Sequence, residues 1–203
     1  MTGPETVFIV DDDPAIRDSV RLLVESVGLR GRCYESAQAF LDADANHDGG
    51  CLIVDIRMPE MSGLQLQERL RGRADALPVI VLTAHGEVPD AVHAMKQGAV
   101  DFVQKPFRAQ DLLDKIHQAL AEARARRAER SQSAEVCARI ATLTPREAEV
   151  VRLVARGRAN KVIAAELGIS ERTVEIHRGR VMRKMGARSL ADLLHLLPSD
   201  YAG

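Results

Sequence analysis

The stretch Cys51-Leu52-Ile53-Val54-Asp55-Ile56-Arg57-Met58-Pro59-Glu60-Met61-Ser62-Gly63 decides the fold. Leu52 to Val54 is an unbroken apolar run, the pattern of a strand buried on both faces of a parallel sheet, so Asp55 falls at its carboxyl end. Open α/β sheets bind ligands at that edge. Alone, such an aspartate is better explained as a group that bonds the following turn.

Other strand ends change that balance. Upstream, Thr6-Val7-Phe8-Ile9-Val10 runs into Asp11-Asp12-Asp13-Pro14. Downstream, Val79 to Leu82 ends in Thr83, and Val100 to Gln104 ends in Lys105-Pro106. Adjacent carboxylates repel, and a cation or a basic side chain offsets the charge. Parallel strands would bring the acids, the hydroxyl and the ammonium to one edge. That set suits a phosphoryl group on a carboxylate, with a hard divalent cation such as Mg²⁺ held by the acids and a lysine charge on the phosphoryl oxygens.

Helices fill the gaps between strands. Asp13-Pro14 reads as N-cap and first helical position, with Ile16, Val20, Leu23 and Val27 at helical spacing up to Gly28. A weak strand near Leu29–Cys33 precedes a short helix capped by Ser36. A third helix follows Gly63 through Leu64, Leu66 and Leu70 to Gly72, and a fourth spans Pro89 to Gln97. From Asp111, Leu112, Leu113, Ile116 and Leu120 mark another packed helix. Alternating strands and helices predict an α/β, doubly wound sheet of five parallel strands; with a flavodoxin-like order, the first and third strands would be neighbours.

Composition divides the chain. Of 203 residues, 46% are apolar and 28% charged, as in ordinary globular proteins. Residues 1–120 hold 12 Lys/Arg and 19 Asp/Glu, net −7, and the remainder holds 16 and 10, net +6. A basic second half predicts a polyanionic partner. The run Ala121 to Arg130 lacks an apolar face and reads as a solvated helical spacer, with Ser131-Gln132-Ser133 as the hinge. Cys33, Cys51 and Cys137 lack metal-type spacing and read as small buried residues, and His47, His85 and His93 as loop or surface residues. No signal peptide or membrane-length apolar run is present, which predicts a cytoplasmic protein with no membrane partner.

The last segment reads as an all-α helix-turn-helix. Thr144-Pro145-Arg146-Glu147 is a capping-box start, with Val150, Leu153 and Val154 as an apolar face. Asn160 to Leu167 is a short helix, Gly168-Ile169-Ser170 a turn, and Glu171 to Met185 a longer helix of the kind that enters the DNA major groove. The helical period turns Val174, Val181 and Met185 inward, and 172, 175, 176, 179, 180 and 183 outward. A final helix, Ser189 to Leu197, carries a leucine face that serves equally as core or as dimer seam.

These motifs resemble a known family. Asp11-Asp12, Asp55 with Met58-Pro59 and Gly63, Thr83-Ala84 and Lys105-Pro106 resemble the receiver domain of bacterial two-component response regulators. Asn160-Lys161, Ile163-Ala164, Gly168-Ile169-Ser170, Thr173 to Arg178 and Lys184-Met185 resemble the LuxR-type DNA-binding domain. Together they are similar to a response regulator of the FixJ/NarL type, with a receiver over 1–120, a linker over 121–140 and a DNA-binding domain over 141–203.

The resemblance implies roles. Asp55 would be the phosphoacceptor; Asp12, Asp55 and the Arg57 carbonyl would bind Mg²⁺, with Asp11 acting through water. Lys105 would contact the phosphoryl group through a cis Lys105-Pro106 segment, Thr83 would close on it, and Phe102, which lacks a tyrosine hydroxyl, would be the switch aromatic. Met95, Lys96 and Val100 would form a dimer face. Glu175, Ile176 and Gly179 would read base edges, and Lys161, Thr173, Arg178, Arg180 and Lys184 would contact phosphates. The implied partners are a sensor histidine kinase, promoter DNA, RNA polymerase and a second copy of the chain on phosphorylation. The only catalysis implied is the receiver's own phosphoryl transfer and dephosphorylation. Two alternatives stand beside this reading. An aspartate-based hydrolase would offer a second acid two residues beyond Asp55, where this chain has Arg57, and a scaffold receiver would have no use for the Asp12, Asp55, Thr83 and Lys105 set.

Overall fold

Within residues 5–43, 50–71, 76–83, 95–96, 98–198 and 201, which the computed structural model describes, strands and helices alternate through the first half and helices alone occupy the second. The strands are β1 (Thr6–Val10), β2 (Arg30–Tyr34), β3 (Cys51–Asp55), β4 (Val79–Thr83) and β5 (Asp101–Gln104). The helices are α1 (Pro14–Ser26), α2 (Ala37–Asp42), α3 (Gly63–Leu70), α4 (Ala109–Ala141), α5 (Pro145–Ala155), α6 (Asn160–Leu167), α7 (Glu171–Met185) and α8 (Leu190–Leu196). The helix expected over Pro89–Gln97, apart from Met95 and Lys96, lies outside the described residues, as do His47, Ala84, His85 and His93. The chain divides into two compact units, Met1–Ala128 and Glu129–Gly203.

The first unit is a parallel sheet in the order β2-β1-β3-β4-β5. β1 pairs with β3 in the register Val10↔Val54, and β3 pairs with β4 in the register Asp55↔Leu82. Because side chains alternate along a strand, each strand feeds two cores. Phe8, Val10, Leu52, Val54, Val79 and Val81 pack on one face with Phe40, Leu66 and Leu70 of α2 and α3. Val7, Ile9, Ile53, Ile80 and Leu82 pack on the other with Val20 and Val24 of α1 and Leu112, Ile116 and Leu120 of α4. β2 is an edge strand with no fully buried residue, which explains its weak sequence signal. It is anchored by Tyr34, whose ring meets Phe40 edge-on at 5.3 Å.

Local chemistry sets the helix starts. Asp13 caps α1 by accepting from the Ala15 N–H at 2.8 Å, with Pro14 at the first position. Ser62 and Gln65 form a capping box that opens α3.

α4 stays helical through Ser131-Gln132-Ser133, where the sequence suggested a hinge. Serine and glutamine cost a helix only about 0.5 kcal/mol or less relative to alanine, and the segment contains no Gly or Pro to stop it. Every residue from Arg124 to Glu135 is exposed, as expected for a solvated spacer. The cysteine reading is corrected in part: Cys51 is fully buried in β3, but Cys33 and Cys137 are exposed.

In the second unit, the capping box of Thr144 and Glu147 starts α5, and Ser170 caps α7 by accepting from the Thr173 N–H at 3.1 Å. Val150, Leu153, Val154, Ile163, Ala164 and Val174 form one core. Val136, Val151, Val181, Met185 and Leu193 form a second. Of the leucine face on α8, Leu193 is buried while Leu190 and Leu194 are exposed. Among the described residues no helix is long and apolar enough to cross a membrane.

Candidate functional site

The strand order sets the carboxyl ends of β1, β3, β4 and β5 along one sheet edge. Asp11 directly follows β1, Asp55 ends β3, Thr83 ends β4 and Lys105 directly follows β5. Asp11, Asp55 and Thr83 are all buried. The Lys105 ammonium donates to Asp11 Oδ2 and to Asp55 Oδ1, each at 2.6 Å. The other Asp55 oxygen accepts from the Arg57 N–H at 2.7 Å, and Asp11 Oδ1 accepts from the Asp13 N–H at 2.9 Å. The Lys105 N–H donates to the Thr83 carbonyl at 2.7 Å, which ties the ends of β4 and β5, and Lys105-Pro106 is cis.

Two buried carboxylates share one ammonium. Burial raises the Asp11 carboxyl, and the hydrogen bond from Lys105 opposes that rise without cancelling it. Burial pulls Lys105 down, but its bonds to Asp11 and Asp55 outweigh this and leave it raised. The edge therefore keeps an excess of negative charge, to which Asp12, exposed at the rim, adds. Carboxylates with the Arg57 carbonyl are an all-oxygen donor set that fits a hard divalent cation. Among the described residues no three His, Cys, Asp or Glu side chains form a metal cluster by themselves, so such an ion would draw its remaining ligands from carbonyl, water or phosphoryl oxygens.

One residue at this site has no motif of its own. Arg17, in the first turns of α1, donates through Nη1 to the Asp11 carbonyl at 2.7 Å and the Asp12 carbonyl at 3.0 Å. Its position after the Asp13-Pro14 start puts a long cationic side chain within reach of the acidic loop, which is the one sequence signal available.

Phe102 on β5 is 38% exposed. Met95 and Lys96 are exposed, and Val100 is half-buried against the core beneath β5.

On α7, Val174, Val181 and Met185 are buried, and 172, 175, 176, 179, 180 and 183 are exposed, as the helical period requires. Glu175, Ile176 and Gly179 share the outward face with Arg180, and a side chain at Gly179 would meet nothing within 4 Å. Lys161 is exposed on α6, Thr173 bonds Ser170 through its hydroxyl at 2.8 Å, and Arg178 donates to Asn160 Oδ1 at 2.6 Å. The Lys184 ammonium donates to the buried Glu147 carboxylate at 2.6 Å and to the Thr142 carbonyl at 2.8 Å.

Residues 7–117 match the family described as the response regulator receiver domain, and residues 141–197 match the bacterial regulatory proteins of the luxR family. The chain is similar to the transcriptional regulatory protein TdiR of Thauera aromatica, 45% identical over 95% of this chain and 85% of that one. It is also similar to the transcriptional regulatory protein FixJ of Bradyrhizobium diazoefficiens, 41% identical over 97% and 96%. Among solved structures, the response regulator StyR superposes with a TM-score of 0.85 at 44% identity, covering 96% of this chain and 98% of StyR. Full-length FixJ from B. japonicum gives 0.58 at 40% identity, covering 96% of each chain. A sheet edge that gathers Asp11, Asp55, Thr83 and Lys105, followed by a helix-turn-helix, thus has full-length relatives, and the chain belongs to the FixJ-type transcriptional response regulators, with a receiver domain and a LuxR-type DNA-binding domain.

Proposed function

We propose that Asp55 accepts a phosphoryl group from a sensor histidine kinase, and that this promotes dimerisation and promoter binding. The observation that carries the reading is the shared ammonium: Lys105 holds Asp11 and Asp55 at the carboxyl edge of the sheet, at 2.6 Å from each.

In the transfer, an Asp55 carboxylate oxygen attacks the phosphorus of the kinase phosphohistidine. The P–N bond breaks, its electron pair stays on the imidazole nitrogen, and an acyl phosphate forms. Lys105 already lies against Asp55 and follows the charge onto the new phosphoryl oxygens. The Thr83 hydroxyl, one residue beyond the β4 partner of Asp55, donates to the same group. Asp12, Asp55 and the Arg57 carbonyl would hold Mg²⁺, with Asp11 acting through water. Bound there, the ion supplies charge neutralisation on the transferring oxygens. Water attack on the acyl phosphate returns the receiver to its starting state, so the only turnover is its own.

Occupancy of Asp55 biases a pre-existing equilibrium through Thr83 and Phe102, and a bias of about 1–3 kcal/mol suffices. The face of Met95, Lys96 and Val100 is the proposed dimer contact, and a dimer offers two α7 helices to two half-sites. Glu175, Ile176 and Gly179 read base edges, while Lys161, Thr173, Arg178 and Arg180 contact phosphates. Residues 1–120, 121–140 and 141–203 serve as receiver, linker and DNA-binding domain. RNA polymerase is the further partner, and the cytoplasm the compartment, that this role implies.

The test compares wild type with Asp55→Asn, with and without Mg²⁺ and acetyl phosphate or beryllofluoride, for oligomeric state and DNA binding. Dimerisation and tighter DNA binding only in treated wild type support the reading. An unchanged response in both proteins overturns it in favour of a scaffold receiver.

A further inference from the structure

The match to the luxR family begins at residue 141, but the packing of the second unit begins earlier. Val136, on the last turns of α4, is buried with Val181 and Met185 of α7, and Ile140 packs against the same cluster. Arg139 lies between them in sequence. Its Nη1 donates to the carbonyl of Met185, the last residue of α7, at 2.6 Å, and its Nη2 donates to Glu135 at 2.7 Å.

A helix leaves its final carbonyls without intrahelical partners and carries partial negative charge there, so a guanidinium at that point serves both needs. The next residue, Gly186, adopts φ +71°, and a Cβ on it would come within 2.7 Å of the Arg139 guanidinium. A second cation crosses the other way, since Lys184 of α7 donates to the carbonyl of Thr142, just past the end of α4. Arg139 and Lys184 thus tie the same two segments in opposite directions.

We propose that Arg139 is a positioning residue for DNA reading: it fixes the C-terminal end of α7 through the Met185 carbonyl, and so sets how the outward face of that helix meets base edges, without itself touching DNA. Its two terminal nitrogens bond Met185 and Glu135, one each. Ser170 holds the other end of α7, so both termini are clamped. The inference rests on the reading that α7 enters the major groove.

The experiment uses the full-length protein treated with Mg²⁺ and beryllofluoride, and a duplex that the wild type selects from a random pool, against a scrambled duplex of equal composition. Loss of one charge-assisted hydrogen bond predicts that Arg139→Met weakens binding to the selected duplex about tenfold. Binding to the scrambled duplex should change less than about threefold, because phosphate contacts carry it. Arg139→Lys keeps a cation facing the Met185 carbonyl and should recover most of the loss.

Equal weakening on both duplexes would make Arg139 a phosphate contact and overturn the proposal. So would unchanged selectivity, or a Lys variant no better than Met. Ile176→Ala, measured alongside, separates the two readings. If it loses selectivity while Arg139→Met keeps it, this inference alone fails; if the wild type selects no duplex, or Ile176→Ala leaves its selectivity unchanged, the groove reading fails and the inference falls with it.

Discussion

The Lys105 ammonium lies 2.6 Å from Asp55 Oδ1, and the same group also bonds Asp11. Replacing it with Met leaves two buried carboxylates facing each other with no cation between them. Lys105→Met should cost about 3 kcal/mol of stability at pH 7. Burial raises the Asp11 carboxyl, so it takes up a proton as pH falls and relieves the repulsion; the cost should shrink toward pH 4. Urea unfolding of the variant and wild type at both pH values checks this.

Gly63 opens α3 directly under the end of β3. A Cβ there would come within 2.2 Å of the Asp55 carbonyl oxygen and 2.9 Å of Val54 Cγ2. Backbone and a buried strand side chain cannot both yield, so Gly63→Ala should destabilise the receiver by about 1–3 kcal/mol. It should also slow labelling of Asp55 by acetyl phosphate, measured by intact mass, because the strand end must shift.

The hydrogen bond from Lys184, and then that from the Thr144 backbone N–H, hold the Glu147 carboxyl down at about 2, against an ordinary value of 4.5. Its stabilisation is therefore complete above pH 4.5 and is lost as pH falls toward 2. Glu147→Gln should cost about 2–3 kcal/mol at pH 7 and little at pH 2. Chemical denaturation of the second unit across that range reads the difference directly.

Two exposed α7 residues should behave differently on DNA. Ile176, 48% exposed, offers an apolar contact suited to a thymine methyl. Ile176→Ala should lose about 1 kcal/mol on a selected duplex and nothing on a scrambled one. Arg180→Ala should weaken both alike and reduce the slope of log affinity against log salt by about one. Fluorescence anisotropy titrations over a salt series separate these patterns.

The sheet was legible because each central strand is an unbroken apolar run ending in a functional group and helices alternate with strands; the strand order came from likeness to flavodoxin-type sheets and not from the residues. The α7 burial pattern was legible for the same local reason, a 3.6-residue period starting from a capped Ser170. Pairings across long separations were not. Lys184 reads as one more cation on a basic helix, and only the fold brings it to Glu147, 37 residues away. Arg139 carries no local signal that it will reach Met185, 46 residues on. The hinge expected at Ser131–Ser133 rested on residue polarity, whereas helix continuity depends on whether anything there breaks the backbone ladder.

The burial of the cysteines gives this protein a built-in pair of labelling handles. Burial pushes the Cys51 thiol up to about 12 and seals it inside β3, so a maleimide reagent will pass it over. Cys33 on β2 and Cys137 on α4 are exposed, one in each compact unit. Partial burial raises the Cys33 thiol and slows its reaction without hiding it. A donor and acceptor dye attached to the unaltered sequence would therefore report the separation of receiver and DNA-binding unit in solution, before and after Asp55 is occupied, with no residue changed to make the measurement.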